Sequence, residues 1–211
     1  MFRRNEARVQ PLPAEFLAWQ VALRKYTMDT RHGSPHAGVA PLVIARRPGT
    51  TLEVASHSII CGLLPRADRI AGKTEEWRKL YESGIGEGAR AVYDRGIEQM
   101  RSAYASTEDF DPESLTTLLP AKLPLANALR GDSRCALVFY VFDLVDRSEI
   151  GKLRCLHLDA TAEVLTSGPV FDNVYWHNTL FHGPVDDHVV VHFRHLATWD
   201  TRFGALDPVA S

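Results

Sequence analysis

The sequence lacks several features that would direct it to a membrane, a secretory route or a nucleic acid. No apolar run approaches the length of about 20 residues that a membrane-spanning helix needs, and no apolar segment of a secretory signal follows Met1. Its three cysteines lie far apart without Cys-x-x-Cys spacing, which is typical of reduced thiols in a cytosolic protein. The net charge of −2 predicts no basic nucleic-acid-binding surface. These absences predict a cytoplasmic protein that binds neither membranes nor nucleic acids.

Familiar catalytic motifs are absent as well. The chain has no P-loop, no Gly-x-Ser-x-Gly elbow, no His-Glu-x-x-His and no Cys/His zinc spacing. The glycine-rich segment 84–89, GIGEGA, superficially resembles a dinucleotide-binding turn. Such a turn follows a strand, whereas this segment follows a helical pattern, so we interpret it as a helix break or hinge. No metal site is predicted from these patterns.

The composition is that of an ordinary globular domain. Of the 211 residues, 45% are hydrophobic and 24% are charged, which is sufficient for one packed core. No internal repeat or low-complexity tract divides the chain. We therefore expect a single α+β domain over residues 1–211.

Hydrophobic periodicity predicts the order of the elements. An amphipathic helix at 13–25 precedes three extended segments, the first ending near Thr30 and the others at 35–46 and 50–60. Helical spacing follows over 74–104, and Asp111 before Pro112 predicts the start of a short helix. The remaining expected elements are strands at 135–145, 153–165 and 188–199, with a helix at 170–181 before the last strand.

Two segments resemble a known family. Residues 29–41, DTRHGSPHAGVAP, resemble the opening hairpin of the flavin-binding split barrels, the pyridoxamine 5′-phosphate oxidase-like superfamily. Residues 156–164, LHLDATAEV, are similar to a later strand of that family, and a helix and a closing strand follow in both. The resemblance covers about 13–60 and 134–200, which leaves about 61–133 as a helical insertion.

The resemblance implies a specific architecture and activity. The fold would be a six-stranded antiparallel split β-barrel with an N-terminal helix and a helical insertion. The chain would form a homodimer that binds flavin mononucleotide (FMN) between its subunits, and it would be an FMN-dependent oxidoreductase acting on an unidentified small molecule.

Four residues are the candidates for binding the cofactor. Family members carry cations just after the third strand, but here that position reads SHSIICGLL over 56–64. Arg66, Arg69 and Lys73 come next along the chain and could bind the flavin phosphate instead, and Arg66 and Arg69 are the candidates that we select. His36 and His57 fall on barrel strands near the implied groove and could contact the flavin ring or the substrate.

A second class of function remains open because the C-terminal region is rich in histidine. His177, His182, His188 and His192 could bind haem or a metal ion. Two geometric features argue against a single metal ion bound by all of these residues. His188 and His192 would lie about 13 Å apart along one strand, and His177 and His182 would point in different directions from a helix. A third alternative is a non-catalytic ligand-binding barrel.

Overall fold

The computed structural model describes residues 8–30, 41–46, 54–141, 154–202 and 205–208. Its described part contains five α-helices: α1 (Ala14–Thr30), α2 (Ile70–Gly84), α3 (Ala89–Ala103), α4 (Pro124–Gly131) and α5 (Pro169–His182). It also contains eight strands: β1 (Leu42–Arg46), β2 (Val54–Ser58), β3 (Gly62–Pro65), β4 (Phe110–Pro120), β5 (Arg134–Val141), β6 (Arg154–Leu165), β7 (His188–Arg202) and β8 (Ala205–Pro208). In these residues, no helix is both apolar and long enough to cross a bilayer.

The strands form one antiparallel sheet in the order β2-β1-β5-β6-β7-β4-β3, with β8 pairing beside β4 on β7. The two edge strands, β2 and β3, are separated by only the three residues from Ile59 to Cys61. Such a link spans at most about 14 Å, whereas seven strands laid flat would place their edges about 29 Å apart. The sheet must therefore curl until its edges approach, although no ladder joins β2 to β3 in the described residues.

Helix α1 presents a buried stripe at every fourth residue. Phe16, Gln20, Arg24 and Met28 are all at most 2% exposed, as expected for one face of a helix. Phe16 packs edge-on against Phe139 of β5, with ring centroids 4.9 Å apart. The helix thus places a glutamine and an arginine inside the protein along with its apolar residues.

Helices α2, α3 and α5 pack together outside the sheet. Trp77 and Tyr81 of α2 meet His177 and Trp176 of α5 at ring-centroid distances of 5.2 and 6.0 Å. At the break between α2 and α3, the backbone of Gly84 packs closely against Val92 of α3. A Cβ on Gly84 would lie only 2.7 Å from Val92 Cγ2, so a larger residue would not fit. The predicted interruption of the 74–104 helical pattern is confirmed, and the reason is helix packing.

Helix α5 confirms the helix predicted at 170–181. Pro169 occupies its first turn, where a missing N–H costs little. The flanking Gly168 and Gly183 have φ values of 99° and 74°, conformations that residues with a Cβ rarely adopt. The proline and the two glycines thus mark the ends of the helix.

Two predicted elements are wrong. The strand expected to end near Thr30 is instead the last part of α1, because the buried stripe continues to Met28. The helix expected from Asp111 is instead strand β4. The Asp111 carboxylate accepts bonds from Glu113 N at 2.9 Å and Ser114 Oγ at 2.8 Å, so the expected capping chemistry forms a local turn at the start of a strand.

The α+β class, the antiparallel sheet and the N-terminal helix are confirmed. The expected count of six strands is not, because β3 and β4 of the segment 61–133 join the sheet and β8 extends it. The strand expected at 135–145 is present as β5 over its described residues. Its almost wholly apolar sequence predicted burial on both faces, but Ala136 and Val138 on one face are only half-buried.

Candidate functional site

A cavity of about 340 Å³ lies where the two edge strands approach each other. Its wall is built from α1, α2, the end of α3, strands β2, β3 and β4, and α5. The volume falls at the lower end of the range of about 300–1,000 Å³ that is usual for small-molecule sites. The cavity is therefore the candidate ligand site of the described part of the chain.

The innermost charged residue of the wall is Arg24. Its side chain is 0% exposed, and its guanidinium donates to Cys61 O at 2.7 Å. The guanidinium carbon lies 5.0 Å from the ring centroid of Tyr104, so the charge also rests over an aromatic face. A fixed positive charge is thus held inside the protein at the cavity.

Aromatic side chains form much of the remaining inner surface. Trp77 is buried and meets the His177 ring edge-on at 5.2 Å. Tyr104 and Phe110 lie side by side, with centroids 4.8 Å apart. Leu63 and Leu119 add aliphatic surface. This lining suits a flat, largely apolar molecule.

Burial, the charge of Arg24 and the neighbouring His182 together lower the pKa of His177 to about 3. The imidazole of His177 is therefore neutral at physiological pH. A neutral imidazole can donate one hydrogen bond and accept another, or bind a metal.

This low pKa predicts a stability that falls in mild acid. Between about pH 6.5 and 3 the unfolded chain binds a proton at His177 that the folded chain does not, so acid favours unfolding. Lowering the pH from 6.5 to 5 should cost about 1.5 kcal/mol through this residue. Urea unfolding at both pH values should show that His177→Gln loses less stability than the unmodified chain, and equal losses would contradict the assignment.

The outer end of the cavity carries two cations at the start of α2. Arg69 immediately precedes α2 and pairs with the Asp109 carboxylate, which also lines the cavity. Lys73, in the first turn, lies 2.8 Å from Glu76 and 5.9 Å from the Trp77 ring centroid. The N-terminus of α2, whose first turn has no acidic residue, adds a partial positive charge here.

The structure brings together two of the four predicted cofactor residues. His57 and Arg69 both line the cavity. Arg66 lies outside its wall, exposed and 3.9 Å from Asp68. His36 is outside the described residues. The assignment of these four to cofactor binding remains a prediction.

The four C-terminal histidines separate into two groups. His177 and His182 line the cavity. His188 contacts Asp186 O through Nδ1, and His192 Nε2 lies 2.8 Å from Ser114 Oγ. Across the described ranges, no group of three or more His, Cys, Asp or Glu side chains is arranged to hold a metal ion.

A chain of hydrogen bonds joins Asp111, Ser114 and His192, and it resembles a catalytic triad only in composition. Ser114 Oγ donates to Asp111 Oδ2 at 2.8 Å and so accepts from His192 Nε2. In a nucleophilic triad the serine would instead donate to the histidine. Ser114 is also 0% exposed, so this network ties β4 to β7 and offers no nucleophile to a substrate.

Sequence reasoning missed Arg24 and gave no role in the cavity to Asn173 or Asn178. Asn173 is buried in α5 and donates to Thr74 Oγ1 at 3.1 Å, and both asparagines line the cavity. The available signal was the position of Arg24 on the apolar stripe of α1, eight residues after Phe16. A charged residue at a core position of a helix usually needs a functional or structural partner.

No family model and no curated protein matches the chain. Solved structures resemble it at low identity. A conserved hypothetical protein from Mycobacterium tuberculosis is 11% identical, with 92% of this chain and 87% of that chain covered at a TM-score of 0.45. A provisional pyridoxamine 5′-phosphate oxidase from Listeria innocua is 7% identical, with 90% and 99% covered at 0.46.

A haem-binding protein from Mycobacterium smegmatis is 10% identical, with 90% of this chain covered and a TM-score of 0.45. The present chain spans only 57% of that protein. The family resembled by the sequence motifs is thus represented among the structural neighbours.

Proposed function

We propose that this protein is a split-barrel oxidoreductase that binds FMN in the cavity beneath α2 and acts on a small molecule. The observation that carries the proposal is the combination, in one cavity, of an aromatic inner surface with two cations at its outer end. FMN has the matching parts, a flat ring system and a phosphate joined by a hydroxylated chain.

The inner wall fits the flavin ring. Trp77, Tyr104 and Phe110 are buried aromatic residues that exclude water and offer flat surfaces. Asn173 and Asn178 add amide groups that can bond with the ring's polar edge or the chain hydroxyls. The donor set is therefore chemically suitable for the non-phosphate part of FMN.

The outer end of the cavity fits the phosphate, although two carboxylates compete with it for the cations. Arg69, Lys73 and the N-terminus of α2 together supply the charge that a phosphate dianion needs. Asp109 and Glu76 already pair with these two cations, so a phosphate must share or displace the carboxylates. We therefore assign Arg69 and Lys73, instead of Arg66, as the principal phosphate ligands.

A bound flavin supplies the redox chemistry. In this arrangement, the chain itself binds and orients the ring, keeps water from its inner side and holds a neutral imidazole at His177. His57, exposed at the edge of the cavity on β2, is the candidate contact for an entering substrate.

The direct test is an absorption spectrum of the purified full chain together with calorimetric titration of FMN. We expect a visible flavin band that co-elutes with the protein on gel filtration, and a released chromophore with the mass of FMN after unfolding in urea. A colourless protein that gives no heat of FMN binding would contradict the proposal.

Haem binding is the second candidate, favoured by one observation. His177 is a neutral imidazole in the cavity wall, and His182 also reaches that wall. Neutral imidazole is the usual axial ligand of haem iron. A Soret band in the same spectrum, lost in His177→Gln, would support this candidate. A chain that binds neither chromophore would correspond to a non-catalytic ligand-binding barrel.

We also propose that the protein is a homodimer. On one face of the sheet, Leu42 and Ile44 of β1 lie beside Val138 and Ala136 of β5. Leu42 is 36% exposed and the other three are half-buried. A second copy would cover this apolar surface, and a symmetric pair is the commonest closed assembly.

Light scattering should give twice the chain mass of 23.6 kDa. Val138→Glu should reduce the measured mass to that of one chain because it places a charge in the apolar surface. The matched control is Ile85→Glu, at a residue 62% exposed between α2 and α3, which should leave the dimer intact. A single-chain mass for the unmodified protein would refute the dimer.

A further inference from the structure

A buried asparagine at the outer end of the cavity carries a hydrogen-bond acceptor that faces the cavity. Asn173, near the start of α5, lines the cavity and is 3% exposed. Its Nδ2 donates to Thr74 Oγ1 at 3.1 Å, and Thr74 directly follows Lys73 in α2. The amide group of Asn173 is therefore held at the end of α2 that also carries Arg69 and Lys73.

The orientation of this amide is determined by Thr74. A threonine hydroxyl has one hydrogen, and Thr74 Oγ1 donates it to Ile70 O at 2.8 Å. Thr74 Oγ1 can therefore only accept from Asn173, so the NH2 group of the amide faces α2. The carbonyl oxygen, Asn173 Oδ1, is consequently the arm of the amide that points away from Thr74.

Asn173 Oδ1 forms no hydrogen bond with the described residues. Both amide atoms of Gln20 are sealed inside the protein without a partner, but Asn173 Oδ1 is not sealed in this way. Because Asn173 lines the cavity, the accessible surface of this oxygen opens into the cavity. A ligand that fills the cavity displaces water from Oδ1 and must bring a donor of its own, since a buried acceptor is costly to leave unpaired.

The group that bonds with this oxygen is a donor and so is not the phosphate. The oxygens of a phosphate dianion are acceptors, and a carbonyl oxygen repels them. In FMN, the donors nearest to the phosphate are the hydroxyl groups of the chain that joins it to the ring. With the phosphate at Arg69 and Lys73, these hydroxyls fall in the part of the cavity that Asn173 lines.

We propose that Asn173 Oδ1 accepts a hydrogen bond from a chain hydroxyl of the ligand, so that the cavity selects phosphate esters of hydroxylated chains over esters without hydroxyl groups. The inference rests on the proposed binding of FMN and adds a residue that determines its specificity. Thr74 is a positioning residue, because it holds the amide in the required orientation. A site that bonds with a ligand hydroxyl rejects the analogue that lacks it, since the polar group of the site is then left unpaired.

The test compares FMN with 2′,3′,4′-trideoxy-FMN, which keeps the ring, the phosphate and the chain length but has no chain hydroxyl. The analogue is smaller than FMN, so a weaker affinity cannot come from a clash. Calorimetric titration of the full chain should show FMN binding about 5- to 100-fold more tightly, the effect of a buried acceptor left without a donor. Equal affinity for the two compounds would overturn the proposal.

Two variants assign this preference to Asn173. Asn173→Ala removes the acceptor and should bring the ratio of the two affinities close to one, whereas a purely structural loss would weaken both ligands and leave the ratio unchanged. Thr74→Val keeps the shape of the side chain but removes the hydroxyl that holds the amide, so it should also lower the ratio. The matched control Asn127→Ala, at an exposed residue of α4 outside the cavity, should leave the ratio unchanged.

A ratio that is unchanged in Asn173→Ala would overturn the assignment, and Thr74→Val decides in the same way if Asn173→Ala does not fold. Failure of this inference and failure of the proposed function give different results. FMN and the analogue binding with equal affinity retains the flavin and rejects Asn173 as the hydroxyl ligand. Binding of neither compound rejects the proposed function, and this inference falls with it.

Discussion

Replacing both Arg69 and Lys73 with glutamine is expected to weaken FMN binding about 100-fold or more and to leave riboflavin binding nearly unchanged. Each cation would form a charge-assisted hydrogen bond with the phosphate, worth about 1.5–3 kcal/mol, and about 1.4 kcal/mol corresponds to tenfold in affinity. Riboflavin lacks the phosphate and so gains nothing from either residue. Calorimetric titration of both ligands gives the two affinities.

Two single variants complete this experiment, one as a control and one that removes a competing carboxylate. Arg66→Gln removes an exposed arginine just outside the cavity and should leave FMN affinity unchanged. Asp109→Asn removes the carboxylate that pairs with Arg69 and should strengthen FMN binding. An equal loss of FMN and riboflavin in the double variant would show that Arg69 and Lys73 support the fold and not the phosphate.

Replacing Trp77 with alanine is expected to destabilise the protein by about 3–5 kcal/mol. Trp77 is 3% exposed, meets the His177 ring edge-on and lies beneath Lys73. Alanine would join the space vacated by the indole to the existing cavity and would remove the ring contact between Trp77 of α2 and His177 of α5. Urea unfolding monitored by circular dichroism gives the free energy difference.

The matched control is Trp176→Ala. Trp176 is a half-buried residue of α5 that packs against Tyr81 and Tyr175 outside the cavity wall. Its loss should cost clearly less than the loss of Trp77, because less apolar surface leaves a buried environment. Equal effects would mean that Trp77 is no more important to the α2–α5 packing than a partly exposed residue.

Local patterns predicted the elements whose sequence and surroundings agree. The alternation of Leu156, Leu158, Ala160 and Ala162 predicted β6, and these residues are buried as expected. The helix expected at 170–181 is present as α5. β4 was misread because Asp111-Pro112 is a strong local signal for a helix start. Its pairing with β7 and β3 depends on residues distant in the chain, and that pairing determined a strand.

Some residues of the candidate site could be identified from the sequence, and others could not. His57 and Arg69 were named from their positions along the chain, and both line the cavity. Arg66 was named on the same grounds and lies outside, because which side of a short connection faces inward is set by packing. Arg24 and His177 could not be paired from the sequence, since they lie on α1 and α5, two helices far apart in the chain.

Short-range periodicity and the order of the motifs were enough to predict the α+β class, the alternating strands of an antiparallel sheet, the N-terminal helix and the resemblance to a flavin-binding barrel family. The folded chain was needed to show that β3 and β4 complete the sheet, and that Arg24 and His177 line the same cavity as Arg69 and Lys73. The physical reason is that a cavity, and the charges and pKa values within it, arise from contacts between distant segments. Such contacts are selected by the burial of the whole core and leave no periodic trace in any one segment.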